Sequence, residues 1–401
     1  MRKLTMTIAV LSALAAAAPA AAAVPAPAND PFYAAPSPIP SVAPGTVLRS
    51  RVVSTTALGL PLPLRSWQVM YRTNDTKGQP EAAVATIVVP VVSVGGLLNA
   101  LLGGGGGVRN LVSYQTAEDG LSTTCAPSYK MQMGTEPEEI AMLLPLLLQG
   151  SAVVVPDYEG PDSQWTAGRQ AGHAVLDGIR AAESFYPAGL NGVRTQVGMW
   201  GYSGGAQATA WASELQPSYA PELNIKGIAE GGVPPDVAAV ARYIDGGPFA
   251  GVYFAAAVGL SRAYPEINIH SLLTPAGETM AADVGTKCIT DFTAPYAFHK
   301  MSEYTTVDPL TVPAIQRVIA DDTLGQARPK TPLYIYHAIL DELAPIAPVD
   351  RLVAKYCSQG VKVVYHRDLL SEHVSLVATG APAAVAYLSA RFAGVPAPST
   401  C

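Results

Sequence analysis

The chain has 401 residues, 49% of them hydrophobic and only 14% charged, with a formal net charge of −6. That length and apolar content allow a large buried core, as one domain or as a domain carrying an insertion. An acidic, lysine-poor surface excludes the basic patch that a nucleic-acid partner would need, and 36 Gly with 35 Pro suit a loop-rich protein better than a helical bundle.

Arg2 and Lys3 open the chain, residues 4–14 are apolar, and small residues continue to Ala23. This order predicts a secretory signal peptide over residues 1–23, cleaved after Ala20 or Ala23, and therefore an extracellular protein. Its apolar centre is short for a spanning helix, and no charged stop follows. Cleavage removes cations and no anion, so the mature chain is more acidic still. No later stretch reads as long enough to cross a bilayer. Residues 143–148 are apolar, but Pro145 interrupts them and Gly150 ends them, which predicts a buried helix.

Residues 24–45, rich in Pro and Ala, read as an extended arm. Regular structure is expected from Val47. Strand-like runs follow at 66–71, 83–89, 111–115, 152–155, 196–200 and 225–229, then at 333–339 and 361–365 after a long gap. Several are apolar at consecutive positions, as strands covered on both faces should be. Helix-like segments at 137–149, 167–185 and 205–215 alternate with them, which predicts an α/β fold with a mostly parallel sheet between helices. Residues 236–310 break this rhythm between two sheet strands and are expected to form an inserted cap, with one apolar segment at 249–260. The core would then comprise residues 46–235 and 311–401. The glycine run 103–107 lacks the Lys and Ser or Thr of a phosphate-binding loop, since Val108 and Arg109 follow it, and reads as a surface loop.

The strongest motif is Gly201-Tyr202-Ser203-Gly204-Gly205, a G-x-S-x-G pentapeptide between an apolar β run and an Ala-rich helix former. That context is the strand–turn–helix elbow of an α/β-hydrolase, where Ser203 would be the nucleophile and the flanking glycines relieve clashes. A serine hydroxyl needs a base to take its proton, and in this fold the acid and the base follow on loops after later strands. Asp341 stands directly after the strand at 333–339; Glu342, Asp350, Asp321 and Asp322 are its rivals. His373 follows the strand at 361–365, on a loop before an Ala-rich helix. His366 lies at the end of that strand, and His337 inside the preceding strand reads as a core histidine. His173, His270 and His299 come too early or fall in the cap. An oxyanion hole needs backbone donors. The Gly204 amide is one; the loop after residues 111–115 offers Asp119 as the other, against an ordinary turn carboxylate.

Cys125, Cys288, Cys357 and Cys401 form an even set, which in an exported chain predicts two disulfides with three pairings open. No C-x-x-C spacing supports a zinc or redox site.

Beyond single motifs, an ordered set of segments resembles the secretory lipase family. It includes Ser113-Tyr-Gln-Thr-Ala-Glu-Asp, Cys125-Ala-Pro-Ser-Tyr, Val155-Pro-Asp-Tyr-Glu-Gly-Pro, Gly201-Tyr-Ser-Gly-Gly-Ala-Gln-Ala and Glu230-Gly-Gly-Val-Pro-Pro-Asp. The resemblance runs from about Phe32 to the final helix. It implies an α/β-hydrolase fold with a cap that shapes an acyl-chain tunnel, and a triad of Ser203, Asp341 and His373. It also implies oxyanion donors at Asp119 and Gly204, and the pairs Cys125–Cys288 and Cys357–Cys401. One departure is His337-Ala-Ile-Leu before Asp341, where many members have a Gly-rich context.

The expected activity is extracellular hydrolysis of carboxylic esters, acylglycerols or similar lipids, without metal or organic cofactor. Transient contact with a lipid interface is expected rather than stable membrane insertion. The alternatives are an acyltransferase or peptidase with the same triad, since fold and triad do not separate these, or a non-catalytic binding protein on the same scaffold.

Overall fold

The computed structural model describes residues 24–91 and 109–401. The signal-peptide reading, its cleavage sites and the glycine run 103–107 lie outside the described residues.

Eleven strands are described: β1 (Val47–Val53), β2 (Thr56–Ala57), β3 (Leu60–Pro61), β4 (Leu64–Asn74), β5 (Pro80–Pro90), β6 (Leu111–Gln115), β7 (Ala152–Pro156), β8 (Val197–Tyr202), β9 (Ile225–Gly231), β10 (Leu333–Ala338) and β11 (Val363–Asp368). Nine of them form one sheet in the order β1-β4-β5-β7-β6-β8-β9-β10-β11; β2 and β3 pair as a small separate hairpin. From β7 to β11 the pairings are parallel, while β1, β4 and β5 add an antiparallel wing. Every residue of β6, β7, β8 and β10 is buried, the pattern of strands covered on both faces.

Helices provide the cover. On one face Gly168–Ser184, Gly204–Tyr219 and Ile346–Ser358 bury Val175, Trp211 and Leu352 against the sheet. On the other, Pro127–Met133, Pro137–Leu148 and His373–Phe392 bury Met131, Leu143 and Leu388. The arm residues Phe32, Tyr33 and Ile39 pack on Met70, Ala82 and Val84 of the antiparallel wing. Helix His373–Phe392 corrects one expectation. With 20 residues and a mean hydropathy of 1.2 it is long and apolar enough to cross a membrane; here it lies on the sheet, with Leu376, Ala384 and Leu388 buried.

Between β9 and β10 the chain leaves the sheet and forms a helical segment: Val237–Ile244, Ala250–Ala263, Pro275–Val284, the short Ile289–Phe292 and Pro313–Asp321. This segment has its own apolar clusters, one around Phe254, Val284 and Phe292 and another around Leu260, Ile267 and Ile315. Two disulfides are present. Cys125–Cys288 ties the loop after β6 to the helical segment across 163 residues, and Cys357–Cys401 pins the carboxyl terminus across 44. This is the pairing that the family resemblance implies.

Candidate active site

Ser203 stands between β8 and helix Gly204–Tyr219 with φ 55° and ψ −121°, a backbone conformation an L-residue adopts only when its surroundings enforce it. Two close approaches do so. A Cβ on Gly201 would collide with Gly205 O, and one on Gly205 with Gln115 O of β6, so only glycines let the helix turn this tightly onto the sheet. The Ser203 amide donates to Gly231 O at 2.8 Å, fixing the elbow to β9.

The three residues placed from the sequence come together. Ser203 Oγ lies 2.8 Å from His373 Nε2, and His373 Nδ1 lies 2.6 Å from Asp341 Oδ2. Asp341 Oδ1 accepts the Leu343 and Ala344 amides at 2.9 and 2.5 Å. Burial raises the pKa of Asp341, but the His373 hydrogen bond, the nearby imidazoles and the Ala344 amide outweigh it and hold the carboxyl below its ordinary value. With Nδ1–H donating to a carboxylate, Nε2 is free to accept the serine proton.

His373 is the first residue of helix His373–Phe392 rather than part of the loop before it. Glu372 is the reason: its carboxylate accepts the amides of Val374 and Ser375, which starts the helix one residue earlier. The rival Glu342 holds His373 from behind, its Oε2 accepting the His373 amide at 2.7 Å. Tyr202 of the elbow donates its hydroxyl to His373 O at 2.6 Å.

The remaining rivals are occupied elsewhere. Asp350 accepts from Tyr365 Oη at 2.8 Å, and Asp322 accepts the Gly168 amide at 2.9 Å. Asp321 ends helix Pro313–Asp321. His366 is exposed beside Asp368, and His173 contacts Asp75 O. His270 and His299 face Glu278 and Glu303.

Gly204 opens its helix, so its amide has no acceptor within that helix. Asp119 sits across from it with φ 33°, and a Cβ on Gly204 would collide with Asp119 Oδ1. The Asp119 carboxyl is buried, which pushes its pKa up to about 6, while a hydrogen bond from Trp165 Nε1 at 2.9 Å favours the charged form. Beneath this loop Glu118, Asp157 and Glu159 are buried together, and burial raises all three carboxyls.

Two residues that the sequence reading passed over fasten this loop. Trp165 reaches Asp119 and packs against Phe292 of the helical segment, with ring centroids 5.9 Å apart. Arg262 donates to Leu121 O, Asp162 O, Ser163 O and Gly285 O at 2.7–3.2 Å, joining three chain segments through one guanidinium. Leu121 N and Ile289 N complete the seam by donating to Lys287 O and Asp119 O. No local sequence signal marks either residue, because every partner is remote along the chain.

An apolar cavity reaches from Ser203, Gly204 and Asp119 into the helical segment, where its wall includes Ala256, Ala257, Leu260 and Ile315. The apolar run at 249–260 therefore contributes to that wall. Among the described residues no group of three or more His, Cys, Asp or Glu is arranged to hold a metal ion.

A family model for secretory lipases matches residues 129–400. The chain is 36% identical over 399 residues to Lipase A of Arthroderma benhamiae, covering 94% of this chain and 81% of that one. It is 37% identical to a Mycobacterium tuberculosis protein named probable inactive lipase MT1628, over 92% of this chain and 83% of that one. Among solved structures it is similar to Candida antarctica lipase A in its closed state, with a TM-score of 0.86 and 32% identity, covering 95% of this chain and 89% of that one. The esterase LipA of Xanthomonas oryzae, at 16% identity and a TM-score of 0.69 over 88% of this chain and all of that one, shares the fold.

Proposed function

The chain belongs to the secretory lipase family and is a serine ester hydrolase of the α/β-hydrolase fold, and from that premise we propose that Ser203, His373 and Asp341 are its nucleophile, base and acid. The observation that carries this reading is the unbroken relay from Ser203 Oγ through His373 to Asp341, at 2.8 and 2.6 Å.

His373 Nε2 takes the hydroxyl proton as Ser203 Oγ attacks the ester carbonyl, and Asp341 stabilises the imidazolium. The oxyanion forms facing the amides of Gly204 and Asp119. Collapse breaks the bond to the leaving alcohol, which receives the proton from His373 and departs, leaving an acyl-enzyme. Water then gives a proton to His373 as it attacks the acyl carbon; the proton returns to Ser203 Oγ, and the acid is released.

The substrate is a lipid ester such as an acylglycerol. An apolar cavity beginning at Ser203 supports this, because an acyl chain placed there leaves water at no cost in unpaired polar groups. The helical segment is the cap, and the reading of it as residues 236–310 is extended to helix Pro313–Asp321, since Ile315 and Ile319 line the same cavity. Leu340, Leu369 and Leu370 on the loops around Asp341 and His373, with Val374 in the first turn of the last helix, stand exposed, Leu370 at 96%, and suit transient contact with a lipid surface. The protein acts outside the cell after loss of residues 1–23.

Turnover of p-nitrophenyl esters from acetate to palmitate, for wild type, S203A and H373A, tests the reading. Loss of several orders of magnitude in both folded variants supports it, and wild-type turnover by S203A rejects it. One relative bears the name of an inactive lipase, so wild-type turnover is itself a result. An acyltransferase would instead favour transfer to an added alcohol over hydrolysis.

A further inference from the structure

A second histidine lies behind the Asp341–His373 pair, and the mechanism above leaves it unused. His337, in β10, is fully buried. Its Nε2 is 2.8 Å from Ala344 O and 3.3 Å from Asp341 Oδ2. The Ala344 carbonyl can only accept, so Nε2 carries the proton. Nδ1 is buried with no hydrogen-bond partner. A second proton there would create an unpaired donor and a buried charge, both costly.

The titratable groups facing this imidazole are Asp341, His373 and Asp350. Arg367, its register partner on β11, donates to Asp350. Burial, the leading effect, outweighs the attraction of Asp341 and holds His337 below its ordinary pKa. The imidazole is therefore a fixed neutral donor at working pH.

We propose that His337 is the positioning residue of the acid: its single Nε2–H, donated to Ala344 O with Asp341 Oδ2 3.3 Å away, locks the 341–344 turn to β10 and keeps Oδ2 turned to His373. The inference rests on the assignment of Asp341 and His373 as acid and base. The Leu343 and Ala344 amides close the turn on Oδ1, and the His337 N–H holds the Ala344 carbonyl at its end. Its N–H also withdraws charge from the oxygen that faces His373. Without it the carboxylate is more basic and the His373 cation better stabilised, so the acid limb of the pH–rate profile moves to higher pH. A residue that only filled the core would leave that limb in place.

The test compares H337L, which keeps bulk and loses the donor, with H337Q, which carries an amide donor near the position of Nε2. H337L is expected to lose roughly ten- to hundredfold in kcat with little change in KM, and its acid limb to rise by about half a pH unit. H337Q is expected to recover most of both. Wild-type kcat and acid limb in H337L, or lowered kcat with an unmoved limb, overturns the proposal. Should H337L fail to fold, histidine NMR of wild type decides: His337 is expected as the neutral Nε2–H tautomer, its pKa held below the ordinary histidine value by burial, and an Nδ1–H tautomer or titration near pH 6.5 overturns it. S203A and D341N run alongside separate the two levels. If S203A stays active, the underlying assignment fails; if S203A is dead and H337L is normal, only the role of His337 fails.

Discussion

The indole of Trp165 donates to the carboxyl of Asp119 at 2.9 Å, across 46 residues. It is one strand of a seam, with Arg262 and Cys125–Cys288, that fastens the loop carrying Asp119 to the helical segment between β9 and β10. In this account the geometry of the oxyanion hole is therefore set partly by the cap, not by the sheet alone.

Trp165→Phe keeps the ring and removes the N–H. Asp119 then loses the contact that orients it, while its amide stays in the chain. The expected result is a fall in kcat of roughly ten-fold, below the hundred- to thousandfold cost of deleting an oxyanion donor outright. KM and the thermal midpoint should change little. Steady-state kinetics with a soluble ester measures this.

The disulfides should separate by function. Opening Cys125–Cys288 by paired Ser substitution loosens the oxyanion seam, so kcat and the thermal midpoint should both fall. Opening Cys357–Cys401 frees only the carboxyl tail, and the midpoint should fall with kcat preserved. Each loss is expected to be about 2–4 kcal/mol in unfolding free energy. Denaturant melts beside kinetics on the same preparations make the comparison.

Much of this site was legible in order along the chain. The elbow is five contiguous residues whose steric demand is local, so Gly201 to Gly205 could be read directly. Asp341 and His373 followed from standing after strands, because a parallel sheet brings its strand ends together whatever lies between. Trp165 and Arg262 are not legible: their meaning comes from Asp119 and from four carbonyls that are remote along the chain and come together only in the folded protein. The expectation of a last strand at 361–365 is shifted in the structure, where it runs Val363–Asp368. As the edge of the sheet, β11 tolerates exposed polar residues, so hydrophobicity stopped marking it at Tyr365. Helix Pro127–Met133 was missed because only Pro127, Ser128 and Met131 of it are buried, too weak a period to see.

Narrowing the cavity should change which ester is accepted. Ala257→Phe places a ring in the wall that runs from Ser203 into the cap. Turnover of acetate and butyrate esters should persist, while kcat/KM for palmitate falls roughly ten-fold or more, since an acyl chain loses about 0.8 kcal/mol for each CH₂ left outside. An unchanged chain-length profile would place the acyl chain elsewhere.

Stability should favour mildly acidic pH. Glu230 is fully buried in β9, and burial, with Glu214 nearby, raises its pKa to about 8. A carboxyl whose folded pKa exceeds its unfolded value binds more protons when folded. Its contribution to stability is full below the unfolded value, near 4.5, and is lost as pH rises through about 8. Thermal midpoints should decline between those limits, and Glu230→Gln should flatten the decline. A variant whose curve parallels wild type would exclude Glu230 as the source.

The central claim is that Ser203 is the nucleophile, and a fluorophosphonate probe tests it directly, because phosphonylation needs an activated serine rather than a particular ester. Intact mass and peptide mapping of the full chain are expected to find a single adduct on Ser203, absent from S203A and strongly slowed in H373A. No adduct, or an adduct on another serine that persists in S203A, would contradict the account.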